Sequence, residues 1–169
     1  YYHWPPRGTG SNSYLDDGIN HYVDFSQFEY DWQNTLDNYV DEFSTPVQKQ
    51  AAGLLSYHAA VSVGMDFEVD GSTANTADGV TALHYHFRCS GHYLSSSSTG
   101  FYSQVIANLE DGRPVILALN SAVDHAGVAD GYASQYGLVH MNFGWNGNSN
   151  GWYDIESAFL PGYDYTIIG

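Results

Sequence analysis

The sequence predicts an α+β fold, with helices first and an antiparallel sheet after them. Three observations carry this. Apolar residues recur at helical steps of three and four as far as Asp111. Beyond Gly112, short apolar runs are separated by turn clusters at Ser134–Gly137, Gly144–Asn150 and Pro161-Gly162. No linker or repeat interrupts the 169 residues, a length that can bury one core, so residues 1–169 are read as one domain.

The elements follow in order. The first 27 residues lack helical periodicity; Tyr1-Tyr2-His3-Trp4-Pro5-Pro6 is aromatic and proline-rich, and Arg7–Ser11 reads as a turn. Chain termini are usually polar, so this aromatic opening suggests that a segment upstream has been removed. Phe28, Trp32, Leu36 and Val40 recur every fourth position and predict a short helix over 28–40. A longer helix follows: Thr45 can cap it, Pro46 suits its first position and Gly64 ends it. Its stripe is Val47, Ala51, Leu54, Leu55, His58 and Val61, which makes His58 a core histidine rather than a ligand. Val80, Leu83 and Phe87 predict a helix over 76–87, and Phe101, Val105, Ile106 and Leu109 another over 99–111, after a serine loop at Ser95–Ser98. Strands are predicted at 114–119, 126–133, 138–143, 151–155 and 165–168.

Composition excludes several functions. Four basic against nineteen acidic residues give a net charge of −15. A nucleic-acid binder needs clustered cations, and this chain has only the scattered Arg7, Lys49, Arg88 and Arg113. An anionic membrane surface repels it for the same reason. No apolar run approaches the ~18 residues of a membrane span, and no signal peptide opens the chain. Fifteen tyrosines against one lysine resemble the usage of secreted or surface proteins. Cys89 is the only cysteine, so no intrachain disulfide forms.

Histidines supply the chemistry. His84, His86, Cys89 and His92 superficially resemble a zinc run. In a helix, residues two apart point ~200° away from one another, so His84 and His86 cannot share an ion there, although in a strand they could. No metal and no cofactor is therefore expected. The better cluster is His125 at the start of one predicted strand and Asn142 at the end of the next. Two adjacent antiparallel strands can bring these side chains to one end of a sheet, where an amide would fix the tautomer of a histidine acting as general base for a thiol. His140 shares a face with Asn142 and rivals His125 and Asn142 for either role. The simpler reading is a polar sheet edge followed by an Asn-Gly turn. Cys89 completes a Cys, His, Asn order, but it follows a helix instead of starting one, where the helix dipole would activate it.

The run His125-Ala126-Gly127-Val128-Ala129-Asp130-Gly131-Tyr132, then His140-Met141-Asn142-Phe143-Gly144-Trp145-Asn146-Gly147 and Asn150-Gly151-Trp152-Tyr153, resembles the streptopain family of secreted bacterial cysteine peptidases. That family's C-terminal half reads G-H-A-F-V-x-D-G, H-x-N-W-G-W-x-G and D-G-F-F. Gly112-Arg113-Pro114-Val115, Tyr2-His3-Trp4-Pro5, Phe28-Glu29-Tyr30-Asp31-Trp32 and Val63-Gly64-Met65-Asp66-Phe67 are similar to further family segments, so the resemblance runs along nearly the whole chain.

The resemblance implies a papain-like fold and endopeptidase chemistry on polypeptides, outside the cell or at its surface. It makes His125 the general base, Asn142 its orienter, and Trp145, with Phe143, the aromatic shield of the site. It places the nucleophile in a G-C-V-A-T-A helix start upstream of the tyrosine matching Tyr2. The chain by itself is thus expected to lack its nucleophile helix, to hydrolyse nothing, and to need a chain or segment carrying that helix for stability. Cys89 also lies far closer to His125 than the about 130–150 residues that separate the pair in papain-like enzymes. Phe143 stands where the family has Trp, and Asp124 where it has Gly. These departures keep open a non-catalytic, peptidase-like binding protein.

Overall fold

The computed structural model describes residues 2–36, 43–119, 125–156 and 164–168, the last of these by backbone alone. The chain forms two compact units, Tyr1–Cys89 and Ser90–Gly169.

The first unit begins with a hairpin, β1 (Ser11–Asp16) paired antiparallel to β2 (Ile19–Asp24) in the register Ser11↔Asp24 to Asp16↔Ile19. Asp17 and Gly18 both have positive φ, 46° and 81°, as a type I′ turn requires. Sequence periodicity does not show this hairpin, because its pattern is inverted. Leu15 and Ile19 are 72% and 62% exposed, while polar Asn12 and Tyr14 turn inward. Asn12 Nδ2 donates to the Val61 carbonyl (2.8 Å) and the Tyr14 hydroxyl to that of Met65 (2.7 Å).

The helix predicted over 28–40 is not formed in residues 28–36, and Val40 lies outside the described residues. Instead a 3-10 turn (Phe25–Gln27) is capped by Asp24, and Glu29 bridges to Arg7. A second turn at 32–34 is held by the Asp31 carboxylate, which accepts from the Asn34 backbone (3.2 Å) and side chain (2.7 Å). A short acidic side chain that bonds nearby backbone competes with helix formation. Trp32 finds its partner in the Pro5 carbonyl (2.8 Å), so the four-residue spacing marks aromatic packing.

The first helix, α1 (Pro46–Ser62), is bounded as the sequence predicts: Thr45 and Gln48 form a capping box. Its C-terminus is a Schellman motif, with Gly64 at φ +64°, Gly64 N–H on Val61 C=O and Met65 N–H on Ala60 C=O. His58 and Val61 are its buried positions. Helix α2 (Asp78–Phe87) ends at Arg88 in the left-handed conformation. Phe25, Phe87, Tyr30, Val61 and Val23 make this unit's core.

Among the described residues, the second unit is a six-stranded antiparallel sheet covered by one helix. Its elements are β3 (Gly91–Ser95), α3 (Phe101–Glu110), β4 (Val115–Leu119), β5 (His125–Ala133), β6 (Leu138–Asn142), β7 (Gly151–Tyr153) and β8 (Asp164–Ile168). The sheet order is β3-β8-β4-β5-β6-β7. Val115, Leu117 and Leu119 alternate inward from β4, and with Ala129, Val139 and Met141 they meet Phe101, Val105 and Leu109 of α3. The five predicted strands are all present, the one at 151–155 shortened to 151–153. The sequence pattern does not predict β3, a short strand at the end of the sheet order whose His92 and Tyr93 are exposed.

Candidate active site

The β5–β6 pairing positions the site. Val128 lies opposite Asn142, so continuing the register past the end of β6 brings residues 143–145 alongside His125, the first residue of β5. Gly144 turns the chain there with φ +73°. Asn142 Oδ1 accepts from the Gly144 N–H (2.9 Å), an Asx turn that fixes the exit from β6.

His125 Nε2 is 2.8 Å from the Phe143 carbonyl oxygen. A carbonyl can only accept, so Nε2 carries the proton and the lone pair sits on Nδ1, the ring's basic atom. The Trp145 ring lies 4.4 Å from the imidazole at 31°, and the Phe143 ring is stacked at 6.4 Å. Phe143 and Trp145 are themselves stacked at 5.3 Å. Phe143 is buried in the core of the second unit, whereas Trp145 remains 48% exposed. The histidine therefore has one nitrogen tied to backbone and one flank against a half-exposed indole.

The structure thus gathers His125, Phe143 and Trp145. Asn142 joins them through the backbone: its Oδ1 holds the N–H of the peptide whose carbonyl, that of Phe143, accepts from His125. Aligned dipoles along such a chain strengthen one another. Residue-type reasoning could not show that the acceptor is a main-chain oxygen, which any residue provides. Gly127 makes room for this arrangement, since a Cβ there would lie 3.2 Å from both the Asn142 carbonyl and Met141 Cε. Asp124 lies outside the described residues.

The other candidates are engaged elsewhere. His140 Nδ1 is 2.6 Å from Asp130 Oδ1 and its ring meets Trp152 edge-on at 5.2 Å. His84 is exposed on α2, while His86 Nδ1 pairs with the Thr9 carbonyl (3.0 Å). His58 is buried, with Nδ1 3.1 Å from the Tyr30 hydroxyl, a satisfied core histidine. Cys89 is half-buried just beyond α2, its thiol donating to the Phe87 carbonyl (3.5 Å). Burial pushes that thiol above its ordinary value, the opposite of what a thiolate nucleophile needs. Among the described residues, no group of three His, Cys, Asp or Glu side chains could hold a metal ion, and no helix is long and apolar enough to cross a membrane.

Comparison with known proteins gives the family and the fold. The chain is 29% identical over 160 residues to the thiol protease/hemagglutinin PrtT of Porphyromonas gingivalis, a match covering 89% of this chain and 18% of the relative. It therefore spans under a fifth of that protein's length. A fragment of Prevotella intermedia prointerpain A, solved as a mutant, superimposes with a TM-score of 0.85 at 28% identity, covering 98% of this chain and 58% of that one. That likeness shows an α+β fold of the papain type. The model of the Peptidase C10 family, the streptopain-like peptidases, matches residues 1–153, and the chain belongs to that family.

Proposed function

We propose that these residues are the histidine-bearing part of a cysteine endopeptidase acting on polypeptides outside the cell. The observation that carries the reading is the His125 hydrogen bond to the Phe143 carbonyl, which leaves Nδ1 as the base beneath the half-exposed Trp145. The nucleophilic thiol comes from a segment outside these 169 residues, because the one cysteine here is a partly buried thiol with a raised pKa. His125 Nδ1 takes the proton of that thiol. The thiolate forms a C–S bond to the peptide carbonyl carbon, the imidazolium gives its proton to the departing amine, and the C–N bond breaks. His125 then deprotonates the water that hydrolyses the thioester. The indole of Trp145 shields the ring, and Asn142 orients it through the Gly144 N–H and the Phe143 carbonyl.

The substitution of Phe143 for tryptophan does not favour a binding-only protein. The bond to His125 comes from the backbone, and the phenyl ring still packs against the imidazole. The test is turnover of casein by the full-length protein. His125→Ala lowers it by roughly a thousandfold, the loss expected for a general base; unchanged turnover overturns the assignment. The 169-residue chain alone cleaves nothing and depends on a segment carrying the thiol and its helix. Cleavage by this chain that disappears in Cys89→Ala overturns that part.

A further inference from the structure

We propose that Asn150 is a positioning residue for His125. The β6–β7 ladder ends at Met141↔Gly151, and the Asn150 side chain carries one bond past its end: Oδ1 accepts from the Phe143 N–H at 3.0 Å. Phe143 is therefore gripped on both sides, by Asn150 at its N–H and by His125 at its C=O. The intervening residues 144–149 form the loop that carries Trp145. Asn150 also donates its own N–H to the Gly147 carbonyl (3.2 Å), and Asn148 donates to the Trp145 carbonyl (3.0 Å). The Phe143 carbonyl and the Trp145 indole, which flank the imidazole, thus stand on one stretch of chain that the Asn150 amide clasps at its base.

The backbone there needs such a clasp. Gly144, Asn146, Gly147 and Ser149 all have positive φ, and the two glycines could adopt many other conformations as easily, so the loop's own composition does not fix this one. Without the Asn150 acceptor, the Phe143 N–H beyond the ladder has no protein acceptor fixing its direction. The Phe143 carbonyl is then free to swing from Nε2, and His125 loses the partner that fixes its tautomer. The Asn150 side chain bonds the Phe143 N–H, so it acts on His125 through Phe143.

The inference rests on the peptidase reading for its kinetic readout and not for its spectroscopic one. Three variants of the full-length protein test it. Asn150→Asp keeps an Oδ acceptor. Asn150→Leu keeps the volume without the acceptor, and remains readable should the smaller Asn150→Ala not fold. Turnover number and KM are measured alongside the ¹⁵N resonances of the His125 ring. Leu and Ala variants should lose about 10- to 100-fold in kcat, the cost of a base displaced by a fraction of its length, with KM within about twofold. Their His125 ring resonances should move from one tautomer toward a mixture, while Asn150→Asp stays within about threefold of the parent kcat with the parent ring signature. Unchanged kcat and ring resonances in the Leu and Ala variants overturn the proposal. So does a loss shared equally by Asp, Leu and Ala with the His125 signature intact, which marks a purely structural role. Full turnover in His125→Ala sinks the peptidase reading instead, and the ring resonances of the Asn150 variants still decide the positioning role.

Discussion

His58 in the first unit and His125 in the second are both hydrogen-bonded and flanked by aromatic rings, yet the two sites are built for different ends. His58 is buried, with Phe28 edge-on at 4.6 Å and Phe25 at 5.6 Å, and its partner is the Tyr30 hydroxyl. A hydroxyl donates or accepts, so it suits either tautomer of the ring. His125 is only partly buried, and its partner is a carbonyl, which suits one tautomer. Enclosure with an adaptable partner makes a packing residue. Partial exposure with a one-way partner makes a ring whose basic atom is assigned in advance.

The comparison breaks most visibly if the two histidines are exchanged in role. In the full-length protein, His125→Ala should cost roughly a thousandfold in turnover and leave the thermal midpoint nearly unmoved, since only a partly buried side chain at the start of a strand is lost. His58→Ala should do the reverse. It opens a cavity among Phe25, Phe28 and Tyr30 and strands a buried hydroxyl, together worth about 3 kcal/mol, with kcat/KM of the folded fraction preserved. Thermal denaturation and casein turnover on the same preparations check both arms. A His58 variant that stays fully stable would mean that the aromatic cage closes without it.

The sequence made some of this legible and hid the rest for physical reasons. Thr45, Pro46 and Gly64 announce α1 because caps and stops are properties of single residues. The sheet of the second unit is equally readable, because Val115, Leu117 and Leu119 bury one face in strict alternation. The β1–β2 hairpin is not, since its inward residues are polar and find backbone acceptors, while Leu15 and Ile19 face solvent. Asp17-Gly18 was the available signal, a turn pair that the hydrophobic pattern did not support. At the candidate site, His125 could be picked out by type and spacing, and Trp145 through the family resemblance. The oxygen that holds His125 could not, because it belongs to the main chain, and Asn142 and Asn150 reach it only through N–H groups of residues 144 and 143.

The finest test of the contrast is its pH dependence. Burial pushes the His58 ring below its ordinary value and the Tyr30 hydroxyl up to about 12. For His58 the unfolded chain binds the proton more readily, so stability falls as pH drops below about 6.5 and stops falling beneath the depressed folded value. For Tyr30 the folded state keeps its proton longer, so stability is lost as pH rises from about 10 toward the folded value. His58→Phe keeps a ring in the cage and removes the titration. The stability of the parent minus that of this variant should be flat above about pH 6.5 and decline below it, by at most about 1.4 kcal/mol per pH unit. Urea unfolding of the full-length protein at a series of pH values reads this difference directly. A flat difference from pH 4 to 7 would show that water reaches the His58 ring. The distinction between an enclosed histidine and a presented one would then rest on the hydrogen-bond partner alone.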